Sequence, residues 1–168
     1  ALFCSGILDF EPAMELIVKR ADVMKAAADA APGKIMVVFS NAGEVADLIV
    51  SSKLENIYVT NKNSEKQTGV SGAADKIERF CSYLKERGIL FKKLPLSGAF
   101  HTPLFNAAAR EMEKYLETVT FNRTDYSRVI SNVTGRPYPQ DPAAIKRLLV
   151  DQIVSPVEFM ESVLTAHA

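Results

Sequence analysis

Apolar and polar positions alternate along this 168-residue chain with two periods, and each change of period marks a predicted element. A helix is predicted to open at Ile7-Leu8-Asp9-Phe10-Glu11-Pro12, with Asp9 as N-cap and Glu11 in the first turn, where the helix dipole favours a carboxylate. Leu16, Ile17, Val23 and Met24 carry its apolar face, and Pro32-Gly33 ends it. Ile35-Met36-Val37-Val38-Phe39 reads as a buried strand, and Gly43 to Ser51 as a short helix with Val45, Leu48 and Ile49 inward. Ile57 to Thr60 and Gln67 to Ser71 are strands joined by the polar loop Asn61-Lys62-Asn63-Ser64-Glu65-Lys66-Gln67. Ala73 to Arg87 is a helix that Gly88 caps, and Ile89 to Leu96 is the next strand. The predicted order is βαββαβ, the split βαβ or ferredoxin-like pattern.

Beyond residue 100, Thr102 caps and Pro103 starts a helix predicted to reach Thr118. Arg128 to Val133 reads as a strand ending in the turn Thr134-Gly135-Arg136-Pro137. Asp141-Pro142 opens a helix through Leu148, Leu149 and Val150 to Ile153; Ser155-Pro156 breaks it, and a final helix follows. No repeat or low-complexity stretch is visible.

Composition narrows the class. Apolar residues make up 48% and charged residues 24%, as in ordinary soluble globular proteins. Lys+Arg and Asp+Glu are both 20, which argues against nucleic-acid or membrane-surface binding. No apolar run approaches the ~20 residues of a membrane span. Cys4 and Cys81, without metal-type spacing, point to a reducing, cytoplasmic setting. No metal cluster is visible, and Gly69-Val70-Ser71-Gly72 is too short for a phosphate loop and reads as a strand end. The sequence begins without Met in the apolar run Ala1-Leu2-Phe3-Cys4, which is not a signal peptide. The expectation is that it starts inside a helix and is a piece of a longer protein.

The chemistry centres on His101, in Leu96-Ser97-Gly98-Ala99-Phe100-His101-Thr102-Pro103. The other histidine, His167, lies next to the C-terminus. A histidine between a strand and a helix can reach a cleft and exchange a proton near neutral pH, although a structural histidine at a helix cap carries equal weight. Taken by residue type alone, Arg20 reads as the usual arginine snorkelling from an apolar helix face, and the 61–67 segment as a solvated hairpin turn.

Several segments, in order, resemble the acyltransferase family that includes malonyl-CoA:acyl carrier protein transacylase and the acyltransferase domains of polyketide synthases. They are Ile17-Val18-Lys19-Arg20 followed by Met24, Asn61-Lys62-Asn63 with Gln67 and Val70-Ser71-Gly72, and LSGAFHTPLF at 96–105. Ser131-Asn132-Val133-Thr134-Gly135 and Gln152-Ile153-Val154-Ser155-Pro156-Val157 complete the set. The resemblance implies an α/β fold: part of a larger α/β hydrolase-like lobe, at 1–33 and 98–168, interrupted by a small ferredoxin-like lobe at 34–97.

It also implies a mechanism. Family members carry a nucleophilic serine in a Gly-His-Ser-x-Gly elbow and a Gly-Gln-Gly oxyanion segment, both of which align upstream of Ala1. That serine takes the acyl group from an acyl-CoA as an acyl-serine. His101 matches the catalytic histidine that deprotonates the serine and then the phosphopantetheine thiol of the acyl carrier protein. Arg20 matches the arginine that grips the malonate carboxylate bidentately. Gln152 matches a residue whose backbone carbonyl orients the histidine. Asn63 and Gln67 match polar residues facing the cleft, with structural and functional roles equally weighted, and Asn132 fixes a turn. Ser5 lies further along the helix after the elbow and is not a substitute nucleophile.

Phe100, directly before the histidine, resembles the malonyl-selective type, and Gly98 resembles stand-alone, trans-acting members. The implied substrates are malonyl-CoA and phosphopantetheinyl carrier protein, with no bound cofactor and no metal, in polyketide or fatty acid synthesis. The expected partners are the carrier protein and the missing N-terminal segment or the rest of a synthase; Lys92-Lys93, Arg123 and Arg128 could form a local basic patch for an acidic carrier, although such exposed charges are more often simple solvated surface. These residues alone are expected to be inactive. The alternatives are an acyl-carrier-protein acyl hydrolase, which tends to lack the arginine, and a non-catalytic carrier-protein-binding fragment.

Overall fold

The structure, a computed structural model, describes residues 1–123 and 129–168. Its elements follow in chain order as α1 (Phe10–Ala30), β1 (Gly33–Val38), α2 (Ala42–Ser52), β2 (Ile57–Ser64), β3 (Gln67–Ala73), α3 (Ala74–Glu86) and β4 (Phe91–Ser97). A single 3-10 turn (Pro103–Phe105), α4 (Asn106–Thr118), β5 (Ile130–Ser131), β6 (Arg136–Pro137), α5 (Pro142–Val154) and α6 (Phe159–His167) complete the α/β fold.

The main sheet has the order β2-β3-β1-β4, with every neighbouring pair antiparallel. Alternation in β1 sends Met36 and Val38 to one face, where they meet Val45 of α2 and Ile77, Phe80 and Leu84 of α3. A second apolar cluster joins Ile7 and Leu16 to Ala99, Phe105, Met112, Ile145 and Ile153, packing α1, α4 and α5 together. Burying each such large side chain stabilises the fold by about 1.5–3 kcal/mol. The segment 98–102 leaves the sheet at β4 and enters the helical cluster through Ala99 and Phe105.

Four local differences from the sequence expectation stand out. Asn61-Lys62-Asn63 is strand, not loop, because Asn61 and Lys62 pair with Gly69 and Thr68 across the hairpin. The outer edge of β2 is also held: the Lys62 N–H donates to the Val157 carbonyl at 2.9 Å, and the Val157 N–H to the Thr60 carbonyl at 2.8 Å. A polar edge strand needs no apolar face, so periodicity missed it. The helix expected from Pro103 begins as a 3-10 turn, and the regular helix starts at Asn106.

The strand expected at 128–133 shrinks to Ile130–Ser131, paired with Arg136–Pro137. Gly135 (φ +65°) donates its N–H to Ser131 O at 2.8 Å, closing the turn between them. Arg128 lies outside the described residues. Asp9 occupies the N-cap position without a capping bond; its carboxylate instead accepts from Asn122 at 3.3 Å.

Residues 1–7 form one helical turn, in which the Ser5 N–H donates to the Ala1 carbonyl at 3.0 Å. It closes at Gly6 (φ +73°), with Gly6 N–H on Phe3 O at 2.9 Å and Ile7 N–H on Leu2 O at 3.0 Å. That pair of bonds is the Schellman pattern of a helix C-terminus.

Gly33 does more than stop α1. A Cβ there would stand 2.6 Å from Ala99 N and 2.9 Å from Gly72 O, both backbone atoms. Gly33→Ala should therefore destabilise the fold by about 1–3 kcal/mol through overpacking. Urea unfolding checks this; an unchanged midpoint would mean the 98–102 segment yields freely.

Candidate functional site

His101 sits on a segment fixed at both ends by local chemistry. Gly98 (φ +123°) turns the chain off β4, and its N–H donates to the Gly33 carbonyl at 2.9 Å. A Cβ on Gly98 would lie 2.8 Å from the Phe100 ring, so glycine makes room for that ring. Phe100 in turn packs on Phe105, with centroids 5.2 Å apart. Thr102 is fully buried; its hydroxyl donates to Ala99 O at 2.6 Å and accepts from the Leu104 N–H at 3.3 Å. Between these anchors His101 adopts φ +59°, a left-handed conformation uncommon for a residue with a side chain. Such strain persists only where the surroundings over-determine it.

The imidazole is oriented by the end of α5. Gln152 lies in the last turn of that helix, where carbonyls lack intrahelical partners. Its carbonyl oxygen is 2.8 Å from His101 Nδ1. A carbonyl can only accept, so Nδ1 carries the hydrogen and Nε2 keeps its lone pair. Burial pushes the His101 pKa below the usual imidazole value; the backbone bond to Gln152 raises it, Arg20 lowers it further, and a backbone bond to Ser155 raises it. The net lowering leaves the ring neutral at pH 7, with Nε2 able to take a proton.

Arg20 projects from α1 on the same side of the fold. Its Nε is buried with no hydrogen-bond partner among the described residues. Burial lowers its pKa and the nearby Tyr138 raises it, but a guanidinium stays charged in proteins. Arg20 and Gln152 line a cavity of about 400 Å³, with Leu2, Leu8, Ile17 and Met112 among its apolar walls. A partly desolvated cation in an apolar cavity favours a small molecule carrying a carboxylate.

The other sequence candidates are placed as follows. Asn63 and Gln67 bond to each other at 3.4 Å across the β2–β3 hairpin, and neither lines the cavity. The Ser5 hydroxyl donates to Leu2 O at 3.0 Å within its own turn. Asn132 lies in the β5–β6 turn, and its carbonyl accepts the Glu158 N–H at 2.7 Å. Tyr138 was not picked out from sequence. Its phenol is buried, which raises its pKa, while Ser131 and Arg20 lower it. A tyrosine in a short loop gives no periodic signal that could have found it.

The chain is similar to known proteins over nearly its whole length. It is 36% identical over 166 residues to the polyketide biosynthesis malonyl CoA-acyl carrier protein transacylase BaeC of Bacillus velezensis, covering 97% of this chain and 55% of that protein. It is 35% identical over 164 residues to the polyketide biosynthesis protein ThaF of Burkholderia thailandensis, covering 97% of this chain and 14% of that protein. The solved malonyl CoA-acyl carrier protein transacylase of Coxiella burnetii superposes with a TM-score of 0.90 at 27% identity, covering 99% of this chain and 53% of that one.

Over nearly its whole length the chain resembles malonyl-CoA:acyl carrier protein transacylases.

No family model matches it. The chain spans about half the length of the transacylases just named. Among the described residues, Gln152 links the candidates: its carbonyl meets His101 Nδ1, and it lines the cavity together with Arg20, whereas His101 and Phe100 are not among that cavity's lining residues. Among the described residues, no helix is long and apolar enough to cross a membrane.

Proposed function

We propose that this chain is the histidine- and arginine-bearing part of an acyltransferase that moves malonyl from coenzyme A to the phosphopantetheine thiol of an acyl carrier protein, serving polyketide or fatty acid synthesis. The observation that carries the reading is that Gln152 both holds His101 Nδ1 on its carbonyl and lines one cavity with Arg20, whose Nε is buried without a partner among the described residues. One group can move a proton, and the other can hold a carboxylate at a set distance from it.

In this reading a serine outside these residues attacks the thioester carbon, and His101 Nε2 takes its proton. The C–S bond breaks, coenzyme A leaves as the thiol with that proton, and an acyl-serine remains. His101 then takes the proton of the carrier thiol, the thiolate attacks the ester, and the proton returns to the serine. Arg20 pairs with the distal malonate carboxylate in both halves. Gln152 orients the histidine, and Phe100, packed on Phe105, narrows the space for an α-substituent.

The β2-β3-β1-β4 order supports reading 34–97 as a ferredoxin-like small lobe, and the α1–α4–α5 cluster supports reading 1–33 and 98–168 as parts of the larger lobe. The Schellman turn at residues 1–7 supports a helix running into Ala1. The exposed apolar face of α1 (Phe10, Ile17 and Val18) supports further chain packing there. Two free cysteines are in keeping with a reducing, cytoplasmic setting.

Intact mass before and after malonyl-CoA tests this. The 168 residues alone should give no covalent adduct. The longer protein carrying the upstream serine should gain one malonyl group, and lose it to a holo carrier protein. An adduct on the isolated 168 residues would place a nucleophile within them and overturn the division of labour. Carrier-protein binding by the longer protein with no transfer would favour a non-catalytic module.

A further inference from the structure

The four-stranded sheet reaches the histidine through a side chain to which no role has so far been given. Ser71 lies on β3, an internal strand of the sheet, paired with Ile35 on one side and Tyr58 on the other. It is fully buried, and its hydroxyl donates to the Phe100 carbonyl at 3.0 Å. That carbonyl belongs to the peptide bond entering His101. The orientation of this peptide plane, together with the φ of +59°, sets where the His101 ring points.

We propose that Ser71 is a positioning residue for His101: its buried hydroxyl pins the Phe100–His101 peptide in the orientation that lets a left-handed His101 reach the Gln152 carbonyl. The inference rests on the reading of His101 as the proton-transfer base. A left-handed histidine is sparsely populated in a free chain and needs restraint on both sides. Thr102 restrains the far side through Ala99 O, and Gly33 restrains Gly98. Ser71 supplies the contact from the sheet at the residue in between.

Removing the hydroxyl leaves the Phe100 carbonyl buried without that donor, a state the segment can escape by rotating the peptide. Rotation carries His101 out of its left-handed well, lengthens the Nδ1 contact to Gln152 and exposes the ring. A more exposed imidazole loses the desolvation that lowers its pKa.

The test measures modification of His101 by diethyl pyrocarbonate as a function of pH, followed by peptide mapping. The reagent acylates neutral imidazole, and with two histidines in the chain the two peptides are easily separated. Ser71→Ala should raise the His101 modification rate about fivefold, the Boltzmann equivalent of one typical hydrogen bond, and move its apparent pKa upward. Thr68→Val is the control. Thr68 is equally buried on the same strand, but its hydroxyl donates to Ser40 O at 2.8 Å, away from His101. Its loss should lower stability and leave the His101 profile unchanged.

A Ser71→Ala profile that superimposes on the wild type would overturn the proposal, as would an equal shift in Thr68→Val. Where circular dichroism shows Ser71→Ala unfolded, Ser71→Cys keeps the volume and a weak donor. It should give an intermediate shift, and a wild-type profile would again overturn the proposal. The reagent needs no serine nucleophile, coenzyme A or carrier protein, so a failure of the acyltransfer reading would leave this result standing.

Discussion

His101→Ala, made in the acyltransferase proposed to carry this chain, should lower kcat/KM for malonyl transfer by between about a hundred- and ten-thousandfold, the range of a positioned general base. The magnitude follows from the site. Nδ1 is committed to Gln152 O, so Nε2 is the nitrogen that can accept a proton. Transfer from malonyl-CoA to holo carrier protein, followed by mass, checks the loss. A decrease of only a few-fold would make His101 a structural cap residue. Burial holds the His101 pKa below its usual 6.5, so the acid limb of the wild-type kcat/KM profile should lie below that value and vanish in His101→Ala.

Stability shifts in a defined direction too. The native histidine resists a proton that the unfolded chain accepts, so native stability falls as pH drops from about 6.5 towards the lower native pKa. His101→Ala should flatten that part of the curve, and urea midpoints across the same pH range would show it.

Much of the scaffold was legible because it rests on local rules. The order of β1 through β4 with α2 and α3 follows from periodicity, from the run at 35–39 and from Gly88 at the end of α3. What sequence could not show was carried by contacts between distant segments. The polar stretch Asn61-Lys62-Asn63 is strand because Gly69 and Thr68 pair with it across the hairpin, and Val157, far along the chain, holds its outer edge. Gly33 reads as a helix stop and is also a close-approach glycine, since only the folded chain brings Ala99 and Gly72 against it. At the site, His101 and Arg20 stood out by residue type and by resemblance. Ser71 fell within the resembling run Val70-Ser71-Gly72 without a role of its own and Tyr138 gave no signal, because a serine in a strand and a tyrosine in a loop say little until burial shows what they touch.

In the proposed reading Arg20 decides which acyl group the site prefers, so its substitution separates the competing functions. Arg20→Ala should lower kcat/KM for malonyl-CoA by about a hundredfold or more, the equivalent of losing two charge-assisted hydrogen bonds, and leave acetyl-CoA nearly unaffected. The argument turns on the difference between the two substrates. Both present the same thioester to the same histidine, and only malonyl brings a free carboxylate to a guanidinium whose Nε is buried without a partner among the described residues. Arg20→Met retains most of the aliphatic packing in the cavity wall and should show the same selectivity, which removes lost packing as the cause. Arg20→Lys keeps the charge and loses the planar fork, so it should fall between wild type and Arg20→Met. Equal losses on malonyl- and acetyl-CoA would instead mean that Arg20 supports the fold or the histidine. A wild-type enzyme that preferred to hydrolyse acetyl carrier protein would identify a hydrolase in which the buried cation serves another end.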